Sequence, residues 1–135
     1  MVGFNGQAGN FNVTVKKHPR YIHADKCIAC GACAEKCPKK VPDEYNMGLS
    51  KRKAAYIKYA QSVPLKYAID PEACIYLTRG KCRACEKFCP TGAINFEEKE
   101  EIVEMAVGSV VLAPGFTPFD PTGWDFYGFG RISDV

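Results

Sequence analysis

The sequence predicts a small α+β domain, on three observations. Residues 10–16 (Asn-Phe-Asn-Val-Thr-Val-Lys) alternate polar and apolar side chains, the period of a half-buried strand. Residues 50–61 are dense in Lys, Arg, Ala and Gln, which favour helix. All eight cysteines fall into two runs that each close on Cys-Pro, with turns or short helices expected between the sulfurs. At 135 residues, the chain has room for one domain with appendages.

The elements follow in order. Phe11, Val13 and Val15 share one face of the strand at 10–16. Asn5-Gly6 and Gly9 before it suggest a hairpin turn and a partner strand near residues 2–4, so that residues 1–20 form a β-hairpin lead-in. Gly3, Gly6 and Gly9 do not make the dinucleotide fingerprint G-x-G-x-x-G and read as turn chemistry. Pro42 and Pro64 bracket a helical insertion at about 42–64, with Ser50 as its N-cap. Its apolar side carries Leu49, Tyr56, Ile57 and Ala60, while Lys51, Arg52 and Lys58 point to solvent. Residues 91–96 turn into a short strand, and the acidic stretch 97–101 makes a solvated turn. Residues 102–107 alternate again, Gly108 breaks the pattern, and 109–112 reads as a buried strand. The remainder, 113–130, is rich in Pro and Gly. It carries six aromatics (Phe116, Phe119, Trp124, Phe126, Tyr127, Phe129), which are hard to bury in so small a domain and call for a partner surface.

The cysteines carry the chemistry. The first run is Cys27-x2-Cys30-x2-Cys33-x3-Cys37-Pro38, and the second is Cys74-x7-Cys82-x2-Cys85-x3-Cys89-Pro90. The first is the spacing of bacterial two-cluster ferredoxins, in which the fourth cysteine serves the other cluster. Three closely spaced thiolates wrap one cubane, and the fourth is carried away by the following turn, fixed by Pro38 or Pro90. Gly31, Ala32 and Ala84 keep side chains out of the close approach.

The spacing therefore predicts a dicluster ferredoxin-like domain over residues 21–100 with two [4Fe-4S] clusters. One is held by Cys27, Cys30, Cys33 and Cys89, the other by Cys74, Cys82, Cys85 and Cys37. The widened gap between Cys74 and Cys82 should form a loop over the second cluster and tune its potential. Tyr76 and Phe88, next to ligands, are expected to shield the clusters. His18 and His23 read as surface or packing residues. Zinc fits the pattern less well, because a third cysteine at x2 has no use at a tetrahedral ion.

Other classes fall away. The net charge of +3 conceals 12 Lys/Arg against 4 Asp/Glu in residues 16–66, and 6 against 11 in residues 67–135. Two oxidised clusters with their thiolates would bring the total to about −1, so the basic half is no argument for nucleic acid. No serine-centred elbow or acid–base pair indicates catalysis, and no flavin or nucleotide motif is complete. The apolar fraction of 47% is ordinary, no apolar run reaches membrane-spanning length, and the N-terminus is unlike a signal peptide. The expectation is a cytoplasmic chain whose reduced thiols bind metal and form no disulfides.

Several segments outside the cysteine runs carry a family resemblance. These are Lys-Lys-His-Pro-Arg-Tyr-Ile at 16–22, Pro42-Asp43-Glu44-Tyr45-Asn46, Arg52-Lys53-Ala54, Gln61-Ser62-Val63-Pro64 and Ile69-Asp70. With Gly80-Lys81-Cys82-Arg83-Ala84-Cys85-Glu86-Lys87-Phe88-Cys89-Pro90, they resemble the iron–sulfur insertion found in the A-type subunit of heterodisulfide reductase. The resemblance covers nearly the whole chain and is specific at the segment between the runs, which simple ferredoxins lack. It implies a module inserted into a FAD-binding flavoprotein of anaerobes that works in flavin-based electron bifurcation, with FAD held only by the parent protein. Residues 101–135 would return the chain to that flavin domain, with Ala113-Pro114-Gly115 standing where related flavoproteins have Ala-Thr-Gly. The implied partners are the remainder of that flavoprotein, the other heterodisulfide reductase subunits, and a hydrogenase or formate dehydrogenase as donor. On this reading the chain is an electron-relay fragment of an oxidoreductase. The alternative is a free-standing dicluster ferredoxin.

Overall fold

The structure is a computed structural model that describes residues 1–133. The chain first forms β1 (Gly3–Gln7), β2 (Asn10–Lys17), α1 (Ala32–Glu35), β3 (Lys40–Pro42), β4 (Lys51–Lys53) and β5 (Ala55–Tyr56). It continues through β6 (Ala68–Ile69), α2 (Ile75–Arg79), α3 (Ala84–Lys87) and β7 (Glu101–Val107), then two 3-10 turns at Pro121–Gly123 and Asp125–Tyr127.

The alternation at 10–16 does make a strand. β2 is the centre of an antiparallel sheet ordered β1-β2-β7. Val13 lies opposite Phe4 on one side and Met105 on the other, and Val15 opposite Val103, so the apolar residues share a face. The β1–β2 turn falls at Ala8-Gly9 and not at Asn5-Gly6. Gly6 lies within β1 at φ 112°, where a Cβ would run into the Asn10 carbonyl oxygen, so the position demands glycine.

Between β2 and β7 the chain repeats one pattern of backbone pairing. His23 N–H donates to the Ala93 carbonyl at 2.8 Å beside the Ile22–Ile94 bridge. Asp70 N–H donates to Ala54 at 2.8 Å beside the Ile69–Ala55 pair. Each short ladder then turns into a cysteine run through matching bonds: Cys27 N–H to the His23 carbonyl, and Cys74 N–H to that of Asp70. α1 and α3, the third-cysteine helices, pack on each other. Ile22, Ile69, Ala55, Ala93 and Phe96 form the core together with Cys27, Cys33 and Cys74. The arrangement is compatible with a ferredoxin-like α+β module.

The helical insertion is corrected by the structure. Residues 50–61 hold β4 and β5, and β4 pairs with β3 as a hairpin. Helix propensity is a weak prior, and tertiary partners outweigh it here. Ala54 N–H donates to Lys39, its carbonyl accepts from Asp70, and both Ala54 and Ala55 are buried. A helix would strip β6 of its partner. Ser50 does not cap a helix, since its hydroxyl donates to Asp43 and accepts from Asn46. Arg52 is no solvated base. It bonds Glu44 and Asp70 (2.8 Å) and lies 3.9 Å from the Tyr56 ring centre. Leu49, expected on the apolar stripe, is 86% exposed.

The C-terminal expectations divide. β7 takes up 102–107, but 109–112 forms no strand, and Val111 is 89% exposed. The sheet ends at β1 and β7, and those residues extend neither edge; Val110 and Leu112 instead line a shallow apolar hollow with Met1, Phe4 and Phe11. Beyond them Phe116, Phe119, Trp124, Phe126, Tyr127 and Phe129 are all exposed, as the small core predicts. The acidic stretch is more than a solvated turn. Glu98 accepts from the backbone N–H groups of Arg20 (3.0 Å) and Tyr21 (2.6 Å), and Glu100 pairs with Lys16 and His18. No helix among the described residues is long and apolar enough to cross a membrane.

Candidate metal centres

Two hollows flank the core, and each gathers cysteines from both runs. The first is lined by Cys37, Cys74, Cys82 and Cys85, with Ala54, Ala55, Ile69, Tyr76 and Phe96 among its apolar walls. The second is lined by Cys27, Cys30, Cys33 and Cys89, with Ile22, Tyr67, Ala93 and Ile94. Thus the fourth cysteine of each run leaves its own group and joins the other. The crossing goes with the short helices: α1 carries Cys33 and ends just before Cys37, α3 carries Cys85 and ends just before Cys89, and the two helices pack on each other.

Both helices begin in the same unusual way. Gly31 (φ 84°) and Arg83 (φ 86°) occupy the left-handed region immediately before α1 and α3. Glycine meets that demand without strain, and a Cβ on Gly31 would lie 3.3 Å from the Tyr67 hydroxyl, close enough that the tyrosine would have to give by a few tenths of an ångström. Arg83 adopts the same turn with a side chain held outward. It forms a double hydrogen bond with Glu86, both at 2.7 Å, and lies over the Tyr76 and Phe96 rings at 4.9 and 5.6 Å.

The widened gap between Cys74 and Cys82 is largely helical. α2 starts at Cys74, whose carbonyl accepts from the N–H and the hydroxyl of Thr78. It carries Tyr76 to within 4.4 Å of Phe96, so these rings and Arg83 close one side of the first hollow. Tyr76 therefore shields the site as expected. Phe88 lines neither hollow, is exposed, and has Lys36 over its ring at 5.4 Å. His18 is exposed, paired with Glu100 at 2.9 Å, and His23 contributes backbone bonds.

The donor set fits iron–sulfur clusters. Each hollow offers four thiols among apolar walls, and no imidazole or carboxylate lines either one.

Sulfur electrostatics differ across the sites. Burial pushes the Cys33 thiol up to about 11 and the Cys85 thiol up to about 12, against backbone amides of Ala34 and Glu86 that favour the thiolate. Burial also opposes ionisation of Cys89. Yet the Ala93 N–H at 3.3 Å and the Thr91 hydroxyl hold its thiol below the ordinary value. Cys30 and Cys82, at matching places in the two runs, are exposed. Each site thus has one edge at the surface.

Several supporting residues escaped sequence reasoning. Asp70 accepts from the backbone N–H groups of Glu72 and Ala73 and so shapes the turn into Cys74. Asp-Pro-Glu-Ala is a turn signal that could have revealed it. Lys53 and Lys66 each donate to a cysteine carbonyl, those of Cys37 and Cys27, both at 2.5 Å. No local pattern announces such contacts, which span 16 and 39 residues.

Comparison with known proteins points to the same class of cofactor. Two family models described as 4Fe-4S binding domains match residues 20–43 and 71–92. The iron-sulfur A-type subunit of the CoB–CoM heterodisulfide reductase of Methanocaldococcus jannaschii is 45% identical over 130 residues, which is 96% of this chain and 19% of that protein. The A-type subunit of the ferredoxin:CoB-CoM heterodisulfide reductase of Methanosarcina acetivorans is 44% identical over 97% of this chain and 16% of its own length. The A-type subunit of the H(2)/formate:CoB-CoM heterodisulfide,ferredoxin reductase of Methanococcus maripaludis is 42% identical over 97% of this chain and 19% of its own. The chain spans less than a fifth of the length of these relatives. Over nearly all its residues, then, this chain is homologous to one stretch of the A-type subunit of heterodisulfide reductases, and it carries two 4Fe-4S binding domains within that stretch.

Proposed function

We propose that this chain is an electron relay that passes single electrons through two [4Fe-4S] clusters as a domain of a heterodisulfide reductase flavoprotein. One cluster is held by Cys27, Cys30, Cys33 and Cys89, the other by Cys37, Cys74, Cys82 and Cys85. The observation that carries the reading is the mixed lining of the two hollows, three cysteines of one run with the last of the other. When bound, the clusters supply one-electron redox chemistry.

The protein's own part is to hold, insulate and connect. Apolar walls of Ile22, Ile69, Ala55, Ala93 and Phe96 exclude water, which keeps charge changes inside from being screened. Amides facing Cys33, Cys85 and Cys89 favour thiolate over thiol at the sulfurs. α1 and α3 pack directly on each other between the sites, so the path from one to the other is short and made of protein. Cys30 and Cys82 give each centre an exposed edge for entry or exit.

The relatives' names supply the wider setting: heterodisulfide reductase complexes, some named for H(2) or formate. On that basis the partners are the rest of a FAD-containing parent flavoprotein, the other reductase subunits, and a hydrogenase or formate dehydrogenase. The exposed aromatics of 113–130 suit packing against such a parent. Anaerobic purification with iron and acid-labile sulfide analysis tests the cofactor assignment. About eight irons and eight sulfides per chain support it; one or two zinc ions without sulfide refute it.

A further inference from the structure

The segment between the cysteine runs does more than join them. It delivers one lysine ammonium to each cysteine site. Lys53, on β4, donates from Nζ to the Cys37 carbonyl at 2.5 Å, and Lys66, just before β6, donates to the Cys27 carbonyl at 2.5 Å. Cys37 lines the first hollow and Cys27 the second. Both lysines are half-buried and neither has a carboxylate partner among the ion pairs of the described residues. Of the other cationic residues lining the first hollow, Arg83 is offset by Glu86 at 2.7 Å and Lys39 is exposed to solvent.

A cysteine's carbonyl oxygen and sulfur are joined only through the carbonyl carbon, Cα and Cβ. An ammonium bonded to the oxygen is therefore within roughly 7 Å of that sulfur. The two contacts have no counterpart at the related positions of the second run. The Cys74 carbonyl is taken by Thr78 and the Cys89 carbonyl by the Gly92 N–H. Each hollow nonetheless receives one ammonium, because Cys37 and Cys27 belong to different hollows.

We propose that Lys53 and Lys66 are positioning residues that each set the reduction potential of one cluster. An electron added to a cluster makes it more negative by one charge, and a nearby, half-buried cation stabilises that reduced form. Removing the cation therefore favours the oxidised form. Lys53 acts on the cluster of Cys37, Cys74, Cys82 and Cys85, and Lys66 on the other. The inference rests on the two-cluster reading proposed above.

The test is an anaerobic EPR redox titration of the iron-loaded protein, with Lys53→Met and Lys66→Met beside the parent and iron counted in each sample. Each variant should keep its iron and lower one of the two midpoint potentials. At fixed potential the reduced fraction relative to oxidised should fall roughly tenfold, equivalent to about 59 mV for one electron. The two variants should move different midpoints, and Lys53→Arg and Lys66→Arg should restore the parent values. If a methionine variant loses iron, the glutamine variant, which can still donate without charge, is read in its place with the same expectation. Unmoved midpoints in iron-replete variants, or both variants moving the same midpoint, overturn the inference. A parent protein that binds no two clusters overturns instead the reading on which it rests.

Discussion

Gly31→Ala probes the close packing at the start of α1. Gly31 has φ 84° and ψ −10°, a left-handed conformation that costs an L-residue about 1–2 kcal/mol. Alanine regains roughly 0.4–1 kcal/mol by restricting the unfolded chain. Its Cβ would also lie 3.3 Å from the Tyr67 hydroxyl, so the tyrosine must shift by a few tenths of an ångström. Off-rotamer adjustment of that size adds about 0.5–1 kcal/mol. The terms sum to a destabilisation of about 1.5 kcal/mol, or a fall in melting midpoint of about 5 °C for a chain of this size. The assay is anaerobic thermal unfolding of the iron-loaded protein by circular dichroism, run as a cycle with Tyr67→Phe. Removing the hydroxyl should return the steric share and leave the backbone share. A Gly31→Ala protein as stable as its parent would refute the strain, and a cycle with no coupling would refute the Tyr67 contact.

Other consequences are open to the same kind of test. Ile22→Ala removes the most buried large side chain, at 2% exposure, and should destabilise by about 2–4 kcal/mol in urea titration. Burial works against the Asp70 carboxylate, but Arg52 and the amides of Ala73 and Glu72 hold it below its ordinary value of 3.8. Its stabilising contribution is therefore complete above that value and is lost as pH falls through the lower folded value; Asp70→Asn should be less stable at neutral pH and should flatten the acid limb of the stability curve. Cys33 and Cys85 are pushed up to about 11 and about 12, so without iron these thiols stay protonated at neutral pH. Cluster assembly must then release protons, and reconstitution monitored by visible absorbance should quicken from pH 7 toward pH 9; a pH-independent rate would contradict this.

What the sequence reveals and what it hides have physical causes. The two hollows are legible because cluster ligation depends on local spacing, and that spacing is written within single runs. The strand at 10–16 is legible because one of its faces is apolar, and period two survives that asymmetry. The insertion reads as helix because Lys, Arg, Ala and Gln favour helix weakly, whereas Ala54 and Ala55 answer to β6 and Lys39, partners invisible to a local window. Residues 109–112 look like a strand by composition, but composition supplies no pairing partner, and they join neither outer edge of the β1-β2-β7 sheet. Lys53, Lys66 and Tyr67 gain their roles only when the ladder around Ala55 and Ile69 brings the middle of the chain against the cysteine runs.

The crossing of ligands between the two runs is the centre of this account. A crystal structure of the anaerobically purified protein, with anomalous data at the iron edge, measures it directly. Two iron–sulfur cubes are expected, one among Cys27, Cys30, Cys33 and Cys89 and the other among Cys37, Cys74, Cys82 and Cys85. A cube bound by Cys27, Cys30, Cys33 and Cys37 from one run alone, or single ions in place of cubes, would contradict it.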